Sequence, residues 1–171
     1  MRVLGTTTAI LLLAGCMTGG TSGPSRGSAL ASLTAADGAA RGSAQIDQGA
    51  GGLRVDVKAS SLPPGMHGIH LHTTGRCDAP DFASAGPHWN PTERKHGTGN
   101  PAGPHHGDLP NIGIGANGRG ALSFTVPAAT LDQLLDADGA ALVIHANADD
   151  NQTDPSGNSG GRIACGVVRL P

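Results

Sequence analysis

The sequence is poor in aromatic and charged residues: of its 171 residues, 2% are aromatic and 14% are charged. It has neither a basic stripe nor an aromatic platform on which bases could stack, so nucleic-acid binding is excluded. Phe82, Phe124 and Trp89 are the only aromatic rings besides the histidines. A core so poor in large side chains gains stability from cross-links, either a disulfide or a bound metal ion.

The sequence also lacks an apolar run long enough to cross a bilayer, which takes about 20 residues in a helix. The short apolar run at residues 9–13 leads into Leu13-Ala14-Gly15-Cys16, which resembles the lipobox of bacterial lipoproteins. In a lipobox, cleavage precedes a cysteine that is then acylated. An ordinary secretory signal with an incidental cysteine is the alternative. The small residues before Cys16 and the Gly/Ser/Thr-rich stretch after it favour the lipoprotein.

These features divide the chain into three parts. Residues 1–15 are predicted to be a lipoprotein signal peptide, residues 16–28 a flexible tether, and residues 29–171 a single folded domain. An acyl group on Cys16 would anchor the protein to a membrane of the bacterial cell envelope, in the periplasm or another extracytoplasmic compartment.

Cysteine is scarce, with three residues in the chain. Acylation of Cys16 leaves Cys77 and Cys165 as a pair. Export places this pair in an oxidising compartment, which favours a disulfide between them over the alternative of two free buried thiols.

Short strands separated by turns dominate the folded part, in keeping with the 28 glycines and 12 prolines of the chain. Residues 53–58 alternate apolar and polar side chains, as a half-buried strand does. Asn117-Gly118 marks a hairpin turn, and Thr130 is suited to cap a helical turn at residues 131–135. Strands are predicted at residues 29–34, 41–46, 53–59, 67–72, 112–114, 120–126, 141–145 and 164–170. This pattern predicts an all-β fold, an eight-stranded antiparallel barrel or sandwich.

Two long loops interrupt the strands. Residues 73–110 have no periodicity, and residues 149–161 are rich in Asp, Asn, Ser and Gly. A loop as long as the first is uncommon in a compact domain unless something holds it. A bound metal ion is the candidate, because seven of the eight histidines lie between His67 and His106 and imidazole is the commonest protein ligand of zinc and copper.

The spacing of these histidines separates two sets. His70 and His72 lie on the same face of one strand, because side chains alternate along a strand. The second set supplies three nitrogens and one oxygen, which suits a tetrahedral zinc ion. Its members are His88, His96, His105 and Asp108. Zinc would order the loop that carries them. A solvated histidine-rich loop is the alternative, and the carboxylate at a short fixed spacing weighs against it.

Several motifs, in order, resemble those of the copper/zinc superoxide dismutases, here of the bacterial lipoprotein type. HGIHLH at residues 67–72 resembles the GxHGxHxH signature of that family. Three further segments resemble its zinc loop: GPHWNP at 86–91, RKHG at 94–97 and HHGDL at 105–109. VIH at 143–145 resembles the last copper-ligand strand, and GNSGGRIACGV at 157–167 the C-terminal signature. The resemblance covers about residues 42–168, nearly the whole folded domain.

The resemblance implies the Greek-key form of the fold, with residues 73–110 as a metal-binding loop and residues 149–161 as a short electrostatic loop. It also implies one copper and one zinc ion per chain. The implied copper ligands are His70, His72, His88 and His145. The implied zinc ligands are His88, His96, His105 and Asp108, so that His88 bridges the two ions.

Further residues take roles from the resemblance. Arg162 would hold the anionic substrate beside copper, and the bridging His88 would carry a proton. Asp149 would link a zinc histidine to a copper histidine, and such partners fix the orientation of ligand rings. A disulfide between Cys77 and Cys165 would tie the metal-binding loop to the barrel.

The implied activity is that of an oxidoreductase with superoxide as its substrate. It converts superoxide to O2 and H2O2 by a Cu(II)/Cu(I) cycle beside a structural zinc, and would protect the cell envelope from superoxide. A homodimer is compatible with the sequence. A metal-buffering relative is one alternative, but it would be expected to lack a ligand or the arginine. A zinc hydrolase is another, but it would leave His70, His72 and His145 without a role.

Some positions need separate treatment. His67 stands where the family binds no metal, and the spacing to the carboxylate favours His105 over His106 as the ligand. The second loop has no lysine, whereas the better-known eukaryotic members use lysine there to steer superoxide. Either Lys95 or Arg94 replaces it, or steering is weaker.

Overall fold

The computed structural model of the protein describes residue 1 and residues 27–171. Residues 2–15 of the predicted signal peptide, Cys16 and the predicted tether up to residue 26 therefore lie outside the described residues. Within the described part, no helix is long and apolar enough to cross a membrane.

Strands make up most of the regular structure of the described residues. They are β1 Ser28–Thr34, β2 Ala40–Gly49, β3 Gly52–Ala59, β4 Gly65–His67, β5 Ile69–His72, β6 Ile112–Ile114, β7 Gly120–Pro127, β8 Ala140–His145 and β9 Arg162–Val168. A 3-10 turn at Ala83–Ala85 and one helical turn, α1 Leu131–Leu134, complete the regular structure there. The cap of α1 is as predicted, since Thr130 Oγ1 accepts from the Gln133 amide and Gln133 Oε1 accepts from the Thr130 amide.

Seven strands form one antiparallel sheet in the order β5-β8-β9-β1-β2-β3-β7, and β4 and β6 form a second, two-stranded sheet. The last strand, β9, lies between β8 and β1, so strands distant in sequence are neighbours in the sheet, as in Greek-key folds. The all-β antiparallel prediction is confirmed. The predicted strand at residues 67–72 is divided in two, so the described part contains nine strands instead of eight.

Gly68 is the reason for that division. Its amide donates to Asn147 O at 2.8 Å, and its carbonyl accepts from the His145 amide at 2.8 Å, so it is bonded to the end of β8 and the chain beyond. A Cβ atom at Gly68 would lie 2.9 Å from Ser159 Cβ. β4 then pairs with β6, while β5 pairs with β8.

The Asn117-Gly118 turn forms, with Gly118 at φ 71° and the Gly115 amide bonded to Arg119 O at 2.9 Å. The strands on either side do not form the expected hairpin ladder. β6 pairs with β4 in the small sheet and β7 pairs with β3 in the large one, so the turn connects the two sheets.

The core consists mainly of Leu, Ile, Val and Ala side chains, as the composition predicts. Trp89 joins this core from the metal-binding loop. A second cluster includes Phe82, Val143 and Cys165, and it surrounds the disulfide between Cys77 and Cys165. The predicted disulfide is present and joins positions 88 residues apart. It fastens the start of the metal-binding loop to β9.

Candidate metal centre

Adjacent strands present three histidines to one region of the molecule. His70 and His72 lie on β5, whose intervening residue Leu71 is buried in the apolar core, as the alternation predicts. β5 pairs with β8, and His145 is the last residue of β8. The fourth member, His88, belongs to the loop and forms a backbone bridge with His72.

These histidines form a first donor group, made of His70, His72, His88 and His145. One ring nitrogen from each lies within 4.8 Å of those of the others, and all four residues are buried. Within this group, one nitrogen of each ring has no hydrogen-bond partner: His70 Nδ1, His72 Nε2, His88 Nε2 and His145 Nε2. A buried polar atom without a partner costs about 1–3 kcal/mol. Four such atoms in one place fit a metal ion that prefers imidazole, such as copper.

The other ring nitrogen of each strand histidine is held by the protein. His72 Nδ1 donates to Gly86 O at 2.8 Å, and His145 Nδ1 donates to Gly160 O at 3.1 Å. His70 Nε2 donates to Asp149 Oδ2 at 2.6 Å. Each of these bonds places the proton of the ring on the bonded nitrogen. The other nitrogen of the same ring then carries a lone pair that points into the donor group.

The second donor group, made of His88, His96, His105 and Asp108, surrounds a single carboxylate oxygen. Asp108 Oδ1 lies 2.9 Å from His88 Nδ1, 3.0 Å from His96 Nδ1 and 3.2 Å from His105 Nδ1. A tetrahedral zinc ion with bonds of about 2.0–2.1 Å separates its ligand atoms by about 3.3 Å. The group therefore has the chemistry and nearly the spacing of a zinc site. His88 belongs to both groups, through Nδ1 here and Nε2 in the first.

Backbone contacts with β5 hold the metal-binding loop in place. Trp89 N donates to Leu71 O at 2.8 Å, and Leu71 N donates to Gly107 O at 3.0 Å, so the loop passes on both sides of one core residue. A Cβ atom at Gly107 would lie 2.3 Å from Leu71 O, which only glycine avoids. These bonds bring His88 and Asp108 together although they are distant in sequence.

Asp149 connects the two donor groups. Besides its bond to His70, it accepts from His96 Nε2 at 3.0 Å through its other oxygen. Asn111 holds the Asp149 backbone, since Asn111 Nδ2 donates to Asp149 O and Asn111 Oδ1 accepts from Asp149 N, both at 2.8 Å. Sequence reasoning missed Asn111, because a single polar residue before a short strand carries no distinguishing pattern.

Burial sets the protonation of the first donor group. It lowers the pKa of His72 to about 2, of His145 to about 3 and of His88 to about 4, because a charged imidazolium is disfavoured away from water. These rings are therefore neutral near pH 7 in the metal-free protein. Neutral imidazole is the form that binds metal ions.

His96 differs from the other rings. Burial disfavours its charged form, but hydrogen bonds to Asp108 and Asp149 outweigh burial and raise the pKa of His96 to about 9. Burial would raise the pKa of both carboxyl groups, but hydrogen bonds outweigh it and hold both pKa values well below the usual range. The largest of these effects come from His105 and His88 for Asp108, and from His70 for Asp149. The protonated His96 ring thus lies between the carboxylates of Asp108 and Asp149, 3.0 Å from an oxygen of each.

Zinc binding to the metal-free protein near pH 7.5 is expected to release about one proton from His96, because this ring must lose its proton to act as a ligand. The raised pKa also means that the charged ring stabilises the metal-free fold below about pH 6.5, and that this contribution is lost as the pH rises to about 9. An indicator-dye titration in weak buffer measures the release. Zinc binding without proton release at that pH would contradict this assignment.

Arg162 lies beside the first donor group, opposite His145 in the pairing of β8 and β9. Its Nη1 donates to Phe82 O at 2.6 Å and its Nη2 to Gly86 O at 2.7 Å. Gly86 O also accepts from His72, so one loop carbonyl orients both the guanidinium and a donor ring. Burial lowers the pKa of Arg162, but a guanidinium remains charged near neutral pH.

Two histidines stay outside both donor groups, as their sequence positions predict. His67 Nδ1 lies 2.8 Å from His145 O and its Nε2 lies 2.9 Å from Pro63 O, so its ring contacts backbone carbonyls. The ring of His106 packs against that of Trp89, with centroids 5.3 Å apart.

Comparison with known proteins agrees with this geometry. Residues 40–168 match the family model described as copper/zinc superoxide dismutase (SODC). The chain is 45% identical over 134 residues to superoxide dismutase [Cu-Zn] 1 of Aquifex aeolicus, an alignment that covers 75% of this chain and 79% of the relative.

Two solved structures are also similar. A crystal structure of a superoxide dismutase-like protein from Bacillus subtilis matches with a TM-score of 0.77 and 42% identity, covering 81% of this chain and 96% of that one. The Cu/Zn superoxide dismutase from Brucella abortus matches with a TM-score of 0.70 and 28% identity, covering 83% of this chain and 99% of that one. The chain therefore belongs to the copper/zinc superoxide dismutase family of oxidoreductases, which implies one copper and one zinc ion for its two donor groups.

Proposed function

We propose that the protein dismutates superoxide to O2 and H2O2, with copper in the first donor group and zinc in the second. The observation that carries this proposal is the set of four buried, unpartnered imidazole nitrogens that shares His88 with a carboxylate-centred group. A metal buffer or a zinc hydrolase would need neither that shared ring nor an arginine beside the nitrogen-only group.

Copper in the first group would supply a one-electron change between Cu(II) and Cu(I), which oxidises one superoxide to O2 and reduces a second to H2O2 with the uptake of two protons. Zinc has no redox chemistry. Its proposed contribution is to fix the metal-binding loop and to add positive charge near the reaction.

His88 is suited to hold and move a proton at Nε2. Its Nδ1 lies 2.9 Å from Asp108 Oδ1, which fixes the ring, while Nε2 has no partner within the protein. A positioned imidazole is an effective general acid. With zinc at Nδ1, a neutral His88 ring would carry its proton at Nε2 whenever Nε2 does not bind copper, and we assign the delivery of one of the two protons to this atom.

Arg162 is proposed to bind the superoxide anion. The formal net charge of the chain is -2, so the attraction for a small anion must be local and not global. Bonds to Phe82 O and Gly86 O hold the guanidinium in place. A fixed cation loses little conformational freedom when it binds an anion.

The variant Arg162→Ala is expected to lower the kcat/KM for superoxide by about tenfold, which corresponds to about 1.4 kcal/mol of transition-state stabilisation. Arg162→Lys should retain part of the rate, because lysine keeps the positive charge but lacks the planar guanidinium that bonds to both carbonyls. Direct observation of superoxide decay measures both variants at equal copper content. Unchanged decay with Arg162→Ala would refute the role in anion binding.

We further propose that Cys16 carries a lipid and anchors the enzyme to a membrane of the cell envelope, where it removes superoxide. The support is the lipobox-like segment Leu13-Ala14-Gly15-Cys16, together with a disulfide of the kind found in oxidising compartments. Incorporation of a labelled fatty acid into the protein, abolished by Cys16→Ser, tests the anchor.

A further inference from the structure

The loop at residues 149–161 contacts the second donor group through Asp154 as well as through Asp149. Asp154 Oδ1 accepts from the backbone amide of His96 at 2.9 Å, and Asp154 Oδ2 accepts from Lys95 Nζ at 3.0 Å. Asp154 has no part in the proposed binding of superoxide or in the proposed proton transfer. Its carboxylate nevertheless binds the peptide group that carries a proposed zinc ligand.

Carboxylates from both loops hold this short segment. The His96 amide donates to Asp154, and the next amide, that of Gly97, donates to Asp108 Oδ2 at 2.8 Å. The ring of His96 is held separately by Asp149. Different residues thus hold the backbone and the side chain of His96. Asp154 binds the backbone amide of His96, and Asp149 binds its ring.

The turn that presents Asp154 is itself well bonded. Asp150 Oδ1 accepts from the amides of Gln152 and Thr153 at 2.9 and 2.8 Å. The turn also packs closely on the metal-binding loop, since a Cβ atom at Gly97 would lie 2.1 Å from Asn151 O. The turn that leads to Asp154 is therefore ordered by bonds within its own loop and by close packing on the metal-binding loop.

We propose that Asp154 is a positioning residue for zinc: its bond to the His96 amide keeps this ligand in place before the ion binds. The proposal rests on the proposed zinc site. Metal affinity includes the free energy of ordering the ligands, so a ligand that is already ordered binds more tightly. Partners that orient metal ligands typically change affinity by roughly 10- to 100-fold.

The contact with Lys95 is the weaker part of this arrangement. Both side chains are well exposed, at 62% for Lys95 and 40% for Asp154. Ion pairs between exposed side chains contribute little, because water and salt screen them. We therefore attribute the effect on zinc binding to the bond between Asp154 and the His96 amide. It also means that Lys95 is paired with a carboxylate, which weakens its case as a replacement for the missing steering lysine.

The test follows zinc transfer from the copper- and zinc-loaded protein to a chromophoric zinc chelator. Asp154→Ala is expected to weaken zinc binding by about tenfold. Asp154→Asn should stay within about threefold of the unchanged protein, because its amide oxygen still accepts from the His96 amide. Lys95→Gln should also stay within about threefold.

Asp56→Ala is the matched control, since Asp56 is an exposed carboxylate paired with Arg54 on β3 and lies in neither donor group. The absorption spectrum of Co(II) in place of zinc should change with Asp154→Ala and not with Asp56→Ala, while copper content stays the same. A merely structural role would lower the unfolding midpoint of the metal-free protein without this spectral change.

Unaltered zinc transfer with Asp154→Ala would overturn the proposal, and so would an equally large effect of Lys95→Gln. A different result is expected if the second donor group does not bind zinc at all. In that case the unchanged protein would hold no zinc, and the proposal for Asp154 would fall with it.

Discussion

Replacing His145 with alanine is expected to lower superoxide dismutation by roughly a hundredfold or more while zinc remains bound. His145 contributes to the first donor group and not to the second. Loss of an outer partner of a ligand costs up to about a hundredfold in metal affinity or activity, and loss of a ligand itself should cost at least as much. Alanine keeps the backbone bond from the His145 amide to Gly68 O, so the strand should remain in place.

His106→Ala is the matched control for this variant. His106 lies in the metal-binding loop and packs on Trp89, but it is part of neither donor group. It should keep both metals and full activity. Elemental analysis of copper and zinc, combined with a superoxide-decay assay, measures both variants. Full copper content and activity in His145→Ala would show that the first donor group is not the copper site.

Loss of the disulfide is expected to lower the free energy of unfolding by about 4–5 kcal/mol, because the bond joins residues 88 positions apart and restricts the unfolded chain accordingly. The double variant Cys77→Ala and Cys165→Ala removes the bond. The disulfide also fastens the loop whose carbonyls, Phe82 O and Gly86 O, hold Arg162. Activity should therefore fall together with stability.

Denaturant unfolding of the metal-free double variant measures the loss of stability. Reduction of the unchanged protein is the control, since it breaks the bond but keeps both sulfur atoms in the buried cluster around Phe82. The two should agree within about 1 kcal/mol, the usual scale of a small cavity. An unfolding midpoint unaffected by either treatment would contradict the expected role of the bond.

Sequence patterns were sufficient to predict a strand and its buried side chains where one face of the strand is buried. β3 follows the predicted alternation, with Leu53, Val55 and Val57 buried and Arg54 exposed. The cap at Thr130 was also predictable, because it depends on residues three positions apart. Such features are local, so a short window of sequence contains their cause.

The division at Gly68 and the connection of two sheets at Asn117-Gly118 were not predictable, because each depends on distant partners. Gly68 is bonded to Asn147 O and His145 N, far along the chain. The second donor group was already proposed from its spacing, whereas the sharing of His88 and the addition of His145 to the first group came from the family resemblance. Spacing alone could not show that backbone bonds on both sides of Leu71 bring His88 and Asp108 together.

Asp154 and Asn111 show where sequence reasoning stopped. Each is a single polar residue in or beside a loop, and each acts through a backbone amide or carbonyl of another loop residue. Such contacts leave no periodicity and no motif. They become visible when the two loops are placed against each other in three dimensions.

Metal content measured together with superoxide decay on the same preparation tests the central claim most directly. The family and the two donor groups predict one copper and one zinc ion per chain, and the proposed function predicts a rate of superoxide decay that rises in proportion to copper content. A protein that binds zinc alone, or that takes up copper without accelerating superoxide decay, would contradict it.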